Sequence, residues 1–440
     1  MILAALLAIV LSGAGLVAAG FPDRAADAVD RALRICGGAA LGLGTWSAAY
    51  AAARMFGIAP AIKDVVLACA GAALFFLARR KPVSLPSPSD PAPRWLWGLL
   101  LVAGAVAVGA FFEHDWRFPD GGWDAWMIWN LRARFLVRAA DLRTVFSPDL
   151  LFWAHADYPW LVPGAVAQGF LLAGREAGAV PEAIAAAFGV LAVAVVALAL
   201  ARLQGERWAL IGGLAILALP TFAIFVSNQQ SDVPLGLYLG CAGALIALAD
   251  ARPDRSARLL ALAGFSAGLG AWTKNEGALY AVALAAALLL RTRGVRAPLA
   301  FALGALPAAA LLIGFKRAYA PSNDLAHFST AATLLAHAVD PRRWAELLVQ
   351  SLRRLVFFQV FGLWLVAELL ALAIWIRRLP GTALGTALFL SALAYGPLYV
   401  LQPYPLTWVF RTSVDRLIVQ MWPAAVLATS LALARTTAHT

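Results

Sequence analysis

The stretch EHDWRFPDGGWDAWMIWNLRAR, Glu113 to Arg134, decides how this chain is organised, because it follows a long apolar run and contains four tryptophans among carboxylates and arginines. The other polar residues are gathered in a few clusters, of which the main ones are HADYPW (155–160), SNQQSD (227–232), TKNEG (273–277) and TWVFRTSVDR (407–416). Ionisable groups at a membrane boundary are costly and usually mark a site. One topology places all five clusters at the same face, which predicts a site at the lipid–water boundary.

The composition excludes an ordinary soluble protein. Hydrophobic residues make up 62% of the 440 residues, and the mean hydropathy is +0.78. Apolar runs of about 20 residues predict membrane-spanning helices. The sequence predicts an all-α polytopic membrane protein with about thirteen spans, at 1–20, 35–53, 63–78, 95–112, 181–201, 208–226, 232–250, 258–273, 277–290, 297–315, 355–376, 381–401 and 417–434.

The short connections predict the orientation. RRKP with Arg94, RLQGER, RPDRSAR, RTRGVR and the pair Arg377–Arg378 fall on one side, which the positive-inside rule makes cytoplasmic. The N-terminus then lies outside, the C-terminus inside and the polar clusters in a periplasm, with the protein in an inner membrane. The inner segments hold 18 basic and 7 acidic residues, so they contain the whole net charge of +11. The excess of basic residues therefore indicates the orientation of the chain in the membrane, and no nucleic-acid partner is predicted.

Three parts follow from the positions of the spans. Residues 1–94 form a three-helix block and a Pro/Ser-rich linker, 95–315 the main transmembrane module, and 316–440 the C-terminal helices and outer loops, including 316–354 and 402–416. Residues 1–20 lack the basic region of a signal peptide, which favours a retained helix. The three cysteines lie in apolar spans without a disulfide or metal pattern.

The outer loop 113–158 contains two helix-like pieces, around 124–138 and 146–153. The apolar stretch after it, 159–174, reaches only about 24 Å at ~1.5 Å per residue, which is short of a ~30 Å hydrocarbon core. A crossing there would also move the basic RLQGER segment to the outer side. We therefore predict a re-entrant or surface-lying helix at 159–174.

The order of these motifs resembles the GT-C superfamily of integral-membrane glycosyltransferases, in particular the bacterial relatives of protein O-mannosyltransferases and aminoarabinose transferases. The resembling features are a span, a long outer loop with Asp124 beside tryptophan, the aromatic–Pro stretch HADYPW, the outer Asp232 and a Gly-rich helix that ends in Thr-Lys. They cover roughly residues 95–290.

The resemblance implies catalytic carboxylates in the outer loop. Asp124 matches the general base that removes the acceptor hydroxyl's proton, Asp120 supports or replaces it, and Asp157 is a second candidate. The ordinary alternatives are helix caps and interfacial carboxylates. Ala125 follows Asp124 where family members often carry a second acid, so a divalent metal remains possible but no clear ligand cluster supports one. No other cofactor is predicted.

The resemblance also implies groups that bind the donor. Lys274 matches the cation that stabilises the leaving phosphate, and Arg132, Arg134 and Arg411, with Asp415 and Arg416 nearby, could also contact it. The candidate substrate-binding residues are Trp123, Trp126, Tyr158, Asp232, Asn275 and Glu276. The ordinary alternatives are snorkelling lysine, interfacial ion pairs, interfacial tryptophan and helix capping by Asp232.

The sequence predicts an inverting glycosyltransferase that moves a sugar from a polyprenyl-phosphate donor to a hydroxyl of a lipid, glycan or protein acceptor. A transporter or flippase of lipid-linked sugars is the alternative from another class, although no internal repeat is present and the charges lie at the boundary rather than the midplane. A transferase like the O-antigen ligases or polymerases is a closer alternative, for which more Arg and His would be expected in the loop.

Overall fold

The computed structural model describes residues 2–21, 25, 27–78, 88, 90–252, 256–292, 294–357 and 382–437, and within these ranges the chain is helical without a strand. The all-α prediction is confirmed. The first half contains α1 (Ile2–Gly20), α2 (Ala28–Phe56), α3 (Pro60–Ala78), α4 (Arg94–Arg117), α5 (Asn130–Arg138), α6 (Leu142–Val145), α7 (Leu151–Ala154), α8 (Leu161–Ala173), α9 (Ala179–Gln204) and α10 (Glu206–Leu217). The second half contains α11 (Pro220–Ser227), α12 (Asp232–Ala251), α13 (Ser256–Thr273), α14 (Asn275–Thr292), α15 (Arg296–Ala318), α16 (Asp324–Phe328), α17 (Ala331–Val339), α18 (Pro341–Phe357), α19 (Ala383–Val400) and α20 (Leu406–Thr437).

Eight of the described helices are long and apolar enough to cross a membrane, so the chain is a multi-pass membrane protein. The pair α10 and α11 makes a ninth if it is one span, bent by 66° at the break before Pro220. Helices also occupy the predicted spans 35–53, 258–273 and 277–290, but the number thirteen stays a prediction. Most of the predicted span 355–376 and the pair Arg377–Arg378 lie outside the described residues.

The outer loop 113–158 is largely helical. A π-helical turn, Ala125–Trp129, leads directly into α5, and α6, a 3₁₀ turn (Pro148–Leu150) and α7 complete the segment. The helix expected around 124–138 is therefore continuous, whereas the one expected around 146–153 is divided. The loop ends at His155, whose left-handed backbone (φ 44°) terminates α7 and turns the chain towards α8.

The stretch predicted to be re-entrant forms α8, whose 13 residues reach about 20 Å and are too short to cross a bilayer core. Gly174 ends the helix in a left-handed conformation (φ 68°). Nine residues of α8 are buried, and they face helices of the same chain. How α8 lies relative to a membrane stays a prediction.

Close helix packing in the core depends on small residues. At the crossing of α13 and α15, a Cβ added at Gly264 would lie 1.8 Å from the Phe301 carbonyl oxygen, and one at Gly304 would lie 1.7 Å from that of Ala261. Only glycine permits this approach, which is how helices gain van der Waals contact in lipid. The same core contains residues of α2, α8, α9, α12 and α14, so α2 of the N-terminal block packs directly against the helices that carry the polar clusters.

The predicted outer loop at 402–416 is wrong from residue 406 onwards, because α20 begins at Leu406. Charged residues that interrupt an apolar pattern favour a loop in the sequence. In the structure these charges have partners: Asp415 pairs with Arg354, and Arg416 pairs with Asp124. Paired charges allow a helix to continue where unpaired ones would disfavour it. The predicted loop 316–354 likewise contains α16, α17 and most of α18.

Candidate active site

The candidate site is centred on Asp232, the first residue of α12, whose side chain is fully buried. The Lys274 ammonium lies 2.8 Å from one Asp232 oxygen, and the Gln420 amide donates to the same oxygen. The Arg416 Nε lies 3.4 Å from the other oxygen. The residue before Asp232, Ser231, makes no side-chain cap hydrogen bond. Asp232 therefore holds two cations and an amide, and helix capping alone does not account for it.

Lys274 occupies the one-residue break between α13 and α14. A Cβ on Gly277 would lie 2.1 Å from the Gly270 carbonyl oxygen, so this tight turn requires glycine. The turn directs Lys274 inward, where it is 1% exposed and also lies 3.2 Å from Glu276. Its ammonium lies 5.7 Å from the centre of the Tyr158 ring. Snorkelling to water is thus excluded for Lys274, since its head group is buried among carboxylates.

Asp124 joins this centre through Arg416, which pairs with Asp124 by one terminal nitrogen and with Asp232 by Nε. Asp124 lies directly before the π-helical turn. The preceding glycines dock the loop on the segment before α12: Gly121 has φ 76°, and the Gly122 amide donates to the Asn228 carbonyl at 3.1 Å. The structure therefore brings Asp124, Asp232 and Lys274 together from three separate motifs.

Asp157 lies in a second, neighbouring ion-pair cluster and is almost completely buried. It accepts a 2.7 Å hydrogen bond from the Asn275 amide, and the Lys316 ammonium lies 3.5 Å from the same carboxylate oxygen. Asn275 directly follows Lys274, so the two clusters share the turn between α13 and α14. Lys316 lies near the end of α15 and was assigned no role from the sequence.

Tyr158 is stacked between two rings, with the Trp129 ring at 5.7 Å and the His155 ring at 4.9 Å, each at 13°. Burial raises its pKa well above the usual value, and the nearby Glu276 and Asp157 carboxylates add to the effect. The Tyr158 hydroxyl is therefore protonated at neutral pH. Burial also lowers the pKa of His155, against the opposing charge of Asp324, whose carboxylate lies 3.5 Å away.

Arg132 is buried beneath the loop that carries Asp157. One terminal nitrogen donates to the carbonyls of Ala154 and His155, the latter at 2.9 Å. Burial lowers the Arg132 pKa to about 10, which the Asp157 charge partly opposes, so the guanidinium remains charged at neutral pH. Its hydrogen bonds position the loop.

Five other predicted residues are not brought into the centre. Asp120 is 63% exposed and pairs with Arg134 at 3.2 Å. Trp123 and Trp126 pack edge to face, with ring centres 4.7 Å apart, and remain 55% and 40% exposed. Arg411 is exposed on the first turns of α20. These positions agree with interfacial residues, and the substrate role of each stays a prediction.

The centre also contains a residue that the sequence analysis did not name, Gln420. Arg416 and Gln420 are four residues apart on α20, so both project from one face of the helix and both reach Asp232. This i, i+4 pair of polar residues in an apolar helix was a usable signal. Gln420 was overlooked because it lies inside a predicted span.

Helix α2 holds the two loops that carry the candidate carboxylates. The Arg54 guanidinium donates to the carbonyls of Leu136 (2.6 Å) and Ala139 (2.7 Å) at the end of α5. The Ser47 hydroxyl donates to the Leu161 carbonyl at the start of α8. Arg54 thus satisfies carbonyls that a helix end leaves without partners, and α2 fixes the segments that follow Asp124 and Asp157.

A buried polar cluster extends this clamp to α3. Lys63 and Asp64 form an ion pair at 2.6 Å, the Trp46 indole donates to Asp64 at 3.0 Å, and Lys63 donates to the side-chain oxygen of Gln168 on α8. The Gln168 amide nitrogen in turn donates to the Trp46 carbonyl at 3.3 Å. The three-helix block therefore has a direct structural connection to the loop segments of the site.

We expect Arg54→Met to loosen the end of α5. Losing both hydrogen bonds removes the Arg54 donor from the Ala139 carbonyl and leaves the Leu136 carbonyl only the 3.4 Å bond from the Tyr50 hydroxyl. Amide exchange over residues 130–139 should therefore accelerate about tenfold, the equivalent of ~1.4 kcal/mol for a hydrogen bond to a charged group. Exchange over α12 to α14 should stay unchanged. Hydrogen–deuterium exchange in detergent measures both. Arg31→Met, an exposed arginine of the same helix, is the matched control, and uniform acceleration along the chain would contradict the clamp.

In the described part of the chain, no group of three or more His, Cys, Asp and Glu side chains is arranged to hold a metal ion. The groups that pair with Asp124 and Asp232 are the cationic side chains of Arg416 and Lys274, which do not ligate metals.

Comparisons with known proteins find a family that part of the chain matches. Residues 157–315 match the family described as dolichyl-phosphate-mannose-protein mannosyltransferase. No curated protein matches the chain. Among solved structures, the chain is similar to ArnT from Cupriavidus metallidurans bound to undecaprenyl phosphate, with 18% identity and a TM-score of 0.49 over 77% of this chain. The match covers 60% of that protein's chain. The family match agrees with the predicted resemblance over residues 157–315, and membership of the GT-C superfamily stays a prediction.

Proposed function

We propose that this chain, a membrane protein of the GT-C superfamily, is an inverting glycosyltransferase that moves a sugar from a polyprenyl-phosphate donor to an acceptor hydroxyl. The observation that carries the proposal is the convergence of Asp124 with Arg416, Asp232 and Lys274. A candidate base and two fixed cations in one buried cluster are what this reaction requires: a proton acceptor on one side and positive charge for the leaving phosphate on the other.

In the proposed reaction, the Asp124 carboxylate accepts the proton of the acceptor hydroxyl as its oxygen attacks the anomeric carbon. The bond from that carbon to the phosphate oxygen breaks, and its electron pair leaves with the polyprenyl phosphate. A single in-line displacement inverts the configuration. Arg416 pairs with Asp124 in this structure. Its guanidinium must therefore share its charge between Asp124 and the phosphate when the donor binds.

The cations differ in their access to a ligand. The Lys274 side chain is 1% exposed, whereas those of Arg416 and Lys316 are 21% and 32% exposed. We assign direct phosphate contact to Arg416, with Lys274 contributing its charge from behind Asp232. Asp157 is the second candidate base and holds Lys316 and Asn275 in place. Arg132 positions the Asp157 loop, as its backbone contacts indicate.

Two arguments support a lipid-linked donor. The matched family's description contains dolichyl-phosphate-mannose, a sugar on a polyprenyl phosphate. The candidate site also includes the first residue of the apolar helix α12 and the turn between α13 and α14, where a lipid carrier can deliver its head group. With the basic connections placed in the cytoplasm, the site faces the periplasm from the inner membrane. The acceptor is a hydroxyl of a lipid, glycan or protein.

We expect purified protein in detergent to transfer sugar from lipid-linked donors extracted from cell membranes and not from nucleotide sugars. Labelled lipid-linked donors and labelled nucleotide sugars would be incubated separately with total membrane acceptors, and transfer would be followed by loss of label from the donor lipid. Lipid-dependent transfer supports the proposal. Transfer from nucleotide sugars alone, or release of the lipid without transfer, would contradict it.

A further inference from the structure

Four of the buried polar atoms without a hydrogen-bond partner in the described residues belong to side chains near the Asp232–Lys274 centre. They are the Glu276 Oε2, the Tyr280 and Tyr395 hydroxyls and the Gln420 Oε1. Folded proteins leave few such groups, because an unsatisfied buried group costs about 1–3 kcal/mol. Four of them beside one centre indicate that a polar ligand completes the site.

The residues that carry these atoms project from three helices. Glu276 and Tyr280 are one turn apart on α14, Tyr395 projects from α19, and Gln420 projects from α20. The Tyr280 and Tyr395 rings lie 6.2 Å apart at 58°, and their hydroxyls interact without forming a hydrogen bond of good geometry. We call the region bounded by these four residues the tyrosine slot.

The tyrosine slot is continuous with the candidate active site. Glu276 lies 3.2 Å from the Lys274 ammonium through its other carboxylate oxygen, Oε1. The Gln420 amide nitrogen donates to Asp232, which leaves its oxygen for the slot. Each of these two residues therefore contacts the centre with one end and presents an unused acceptor with the other.

The chemistry of the tyrosine slot selects a ligand rich in hydroxyl donors. A carboxylate oxygen and an amide oxygen only accept hydrogen bonds, and a tyrosine hydroxyl accepts and donates. A phosphate is disfavoured there because it brings negative charge towards Glu276. The hydroxyls of a sugar supply the missing donors, and the two tyrosine rings offer apolar surface to its C–H face.

We propose that the tyrosine slot binds the sugar residue of the donor, while its phosphate lies on the Arg416 side of Asp232. This proposal rests on the proposed function and adds the location of the transferred sugar. It differs from the sequence-based expectation that Trp123 and Trp126 bind substrate, because those rings are exposed and pack against each other instead of the centre.

The test compares the binding of undecaprenyl phosphate with that of undecaprenyl-phosphate mannose, glucose and arabinose to purified protein in detergent. For wild type, at least one sugar-bearing lipid should bind about tenfold more tightly than the bare lipid phosphate, the equivalent of ~1.4 kcal/mol for new hydrogen bonds. The Tyr280→Phe and Tyr395→Phe double variant should lose this increment and keep its affinity for the bare lipid. Tyr399→Phe is the matched control, since the Tyr399 hydroxyl is bonded to Ser413 at 2.7 Å.

The outcomes separate the two proposals. If undecaprenyl phosphate binds but none of the sugars adds affinity, the slot holds only water and this proposal is overturned while the proposed function stands. The sugar-binding role of the slot is also overturned if the double variant keeps the increment. If none of the lipids binds, the proposed function and the tyrosine slot both fail.

Discussion

Asp124→Asn is expected to reduce sugar transfer by about 10²–10⁴-fold, the usual contribution of a general base. Asparagine keeps the size of the side chain and one acceptor oxygen, but it cannot take the acceptor's proton. Folding should be retained, because Arg416 keeps Asp232 as a partner and the loop is still fixed by the Gly122–Asn228 hydrogen bond. The measurement is turnover with a saturating lipid-linked donor, together with thermal unfolding in detergent.

Asp120→Asn is the matched control for this variant. Asp120 lies four residues earlier in the same loop, but it is largely exposed and pairs with Arg134 instead of the central cations. Its loss should change turnover less than about threefold, since exposed ion pairs contribute about 0–1 kcal/mol. Full activity in the Asp124→Asn protein would transfer the role of base to Asp157. Equal losses in both variants would indicate that the loop needs its charge rather than a proton acceptor.

The candidate centre could be predicted from the sequence only where a polar motif interrupts an apolar run at a helix end. Asp124, Asp232 and Lys274 each lie in such a motif, and one face of the membrane then brings them together. Gln420 lies within a predicted span, so its polar side chain does not mark the end of an apolar run. Only the resemblance to the GT-C superfamily ranked Asp124 above Asp120, because which of two nearby carboxylates turns inward depends on the Gly121 backbone and on docking against Asn228.

The fold class followed from composition, but the role of the first three helices did not. Hydropathy identifies α2 as apolar and gives no indication of what it packs against. The Arg54 and Ser47 side chains of α2 contact main-chain carbonyls of α5 and α8, and a main-chain partner leaves no trace in the sequence. Contacts between residues more than 80 positions apart depend on how the helices are arranged, which a single sequence does not contain.

Lys274→Met is expected to lower both stability and transfer. Lys274 and Asp232 are buried together at 2.8 Å, and removing one partner of a buried ion pair typically costs about 3–5 kcal/mol because the other charge remains. Arg416 and Gln420 still contact Asp232, which places the expected loss at the lower end of that range. Transfer should fall about 10²–10³-fold, as for loss of one group that stabilises developing negative charge. Denaturation in detergent and turnover measure the two effects.

The double variant Lys274→Met with Asp232→Asn separates the structural contribution of Lys274 from its proposed catalytic one. With the Asp232 charge also removed, the fully buried carboxylate no longer faces an apolar methionine, so much of the lost stability should return. The part that Lys274 contributes by pairing with Glu276 stays lost. Arg416 still has Asp124 as a partner. Transfer should remain low, because the leaving phosphate has lost a cation whether or not the fold is restored. If turnover recovers together with stability, Lys274 acts only by holding Asp232, and Arg416 alone provides the charge for the phosphate.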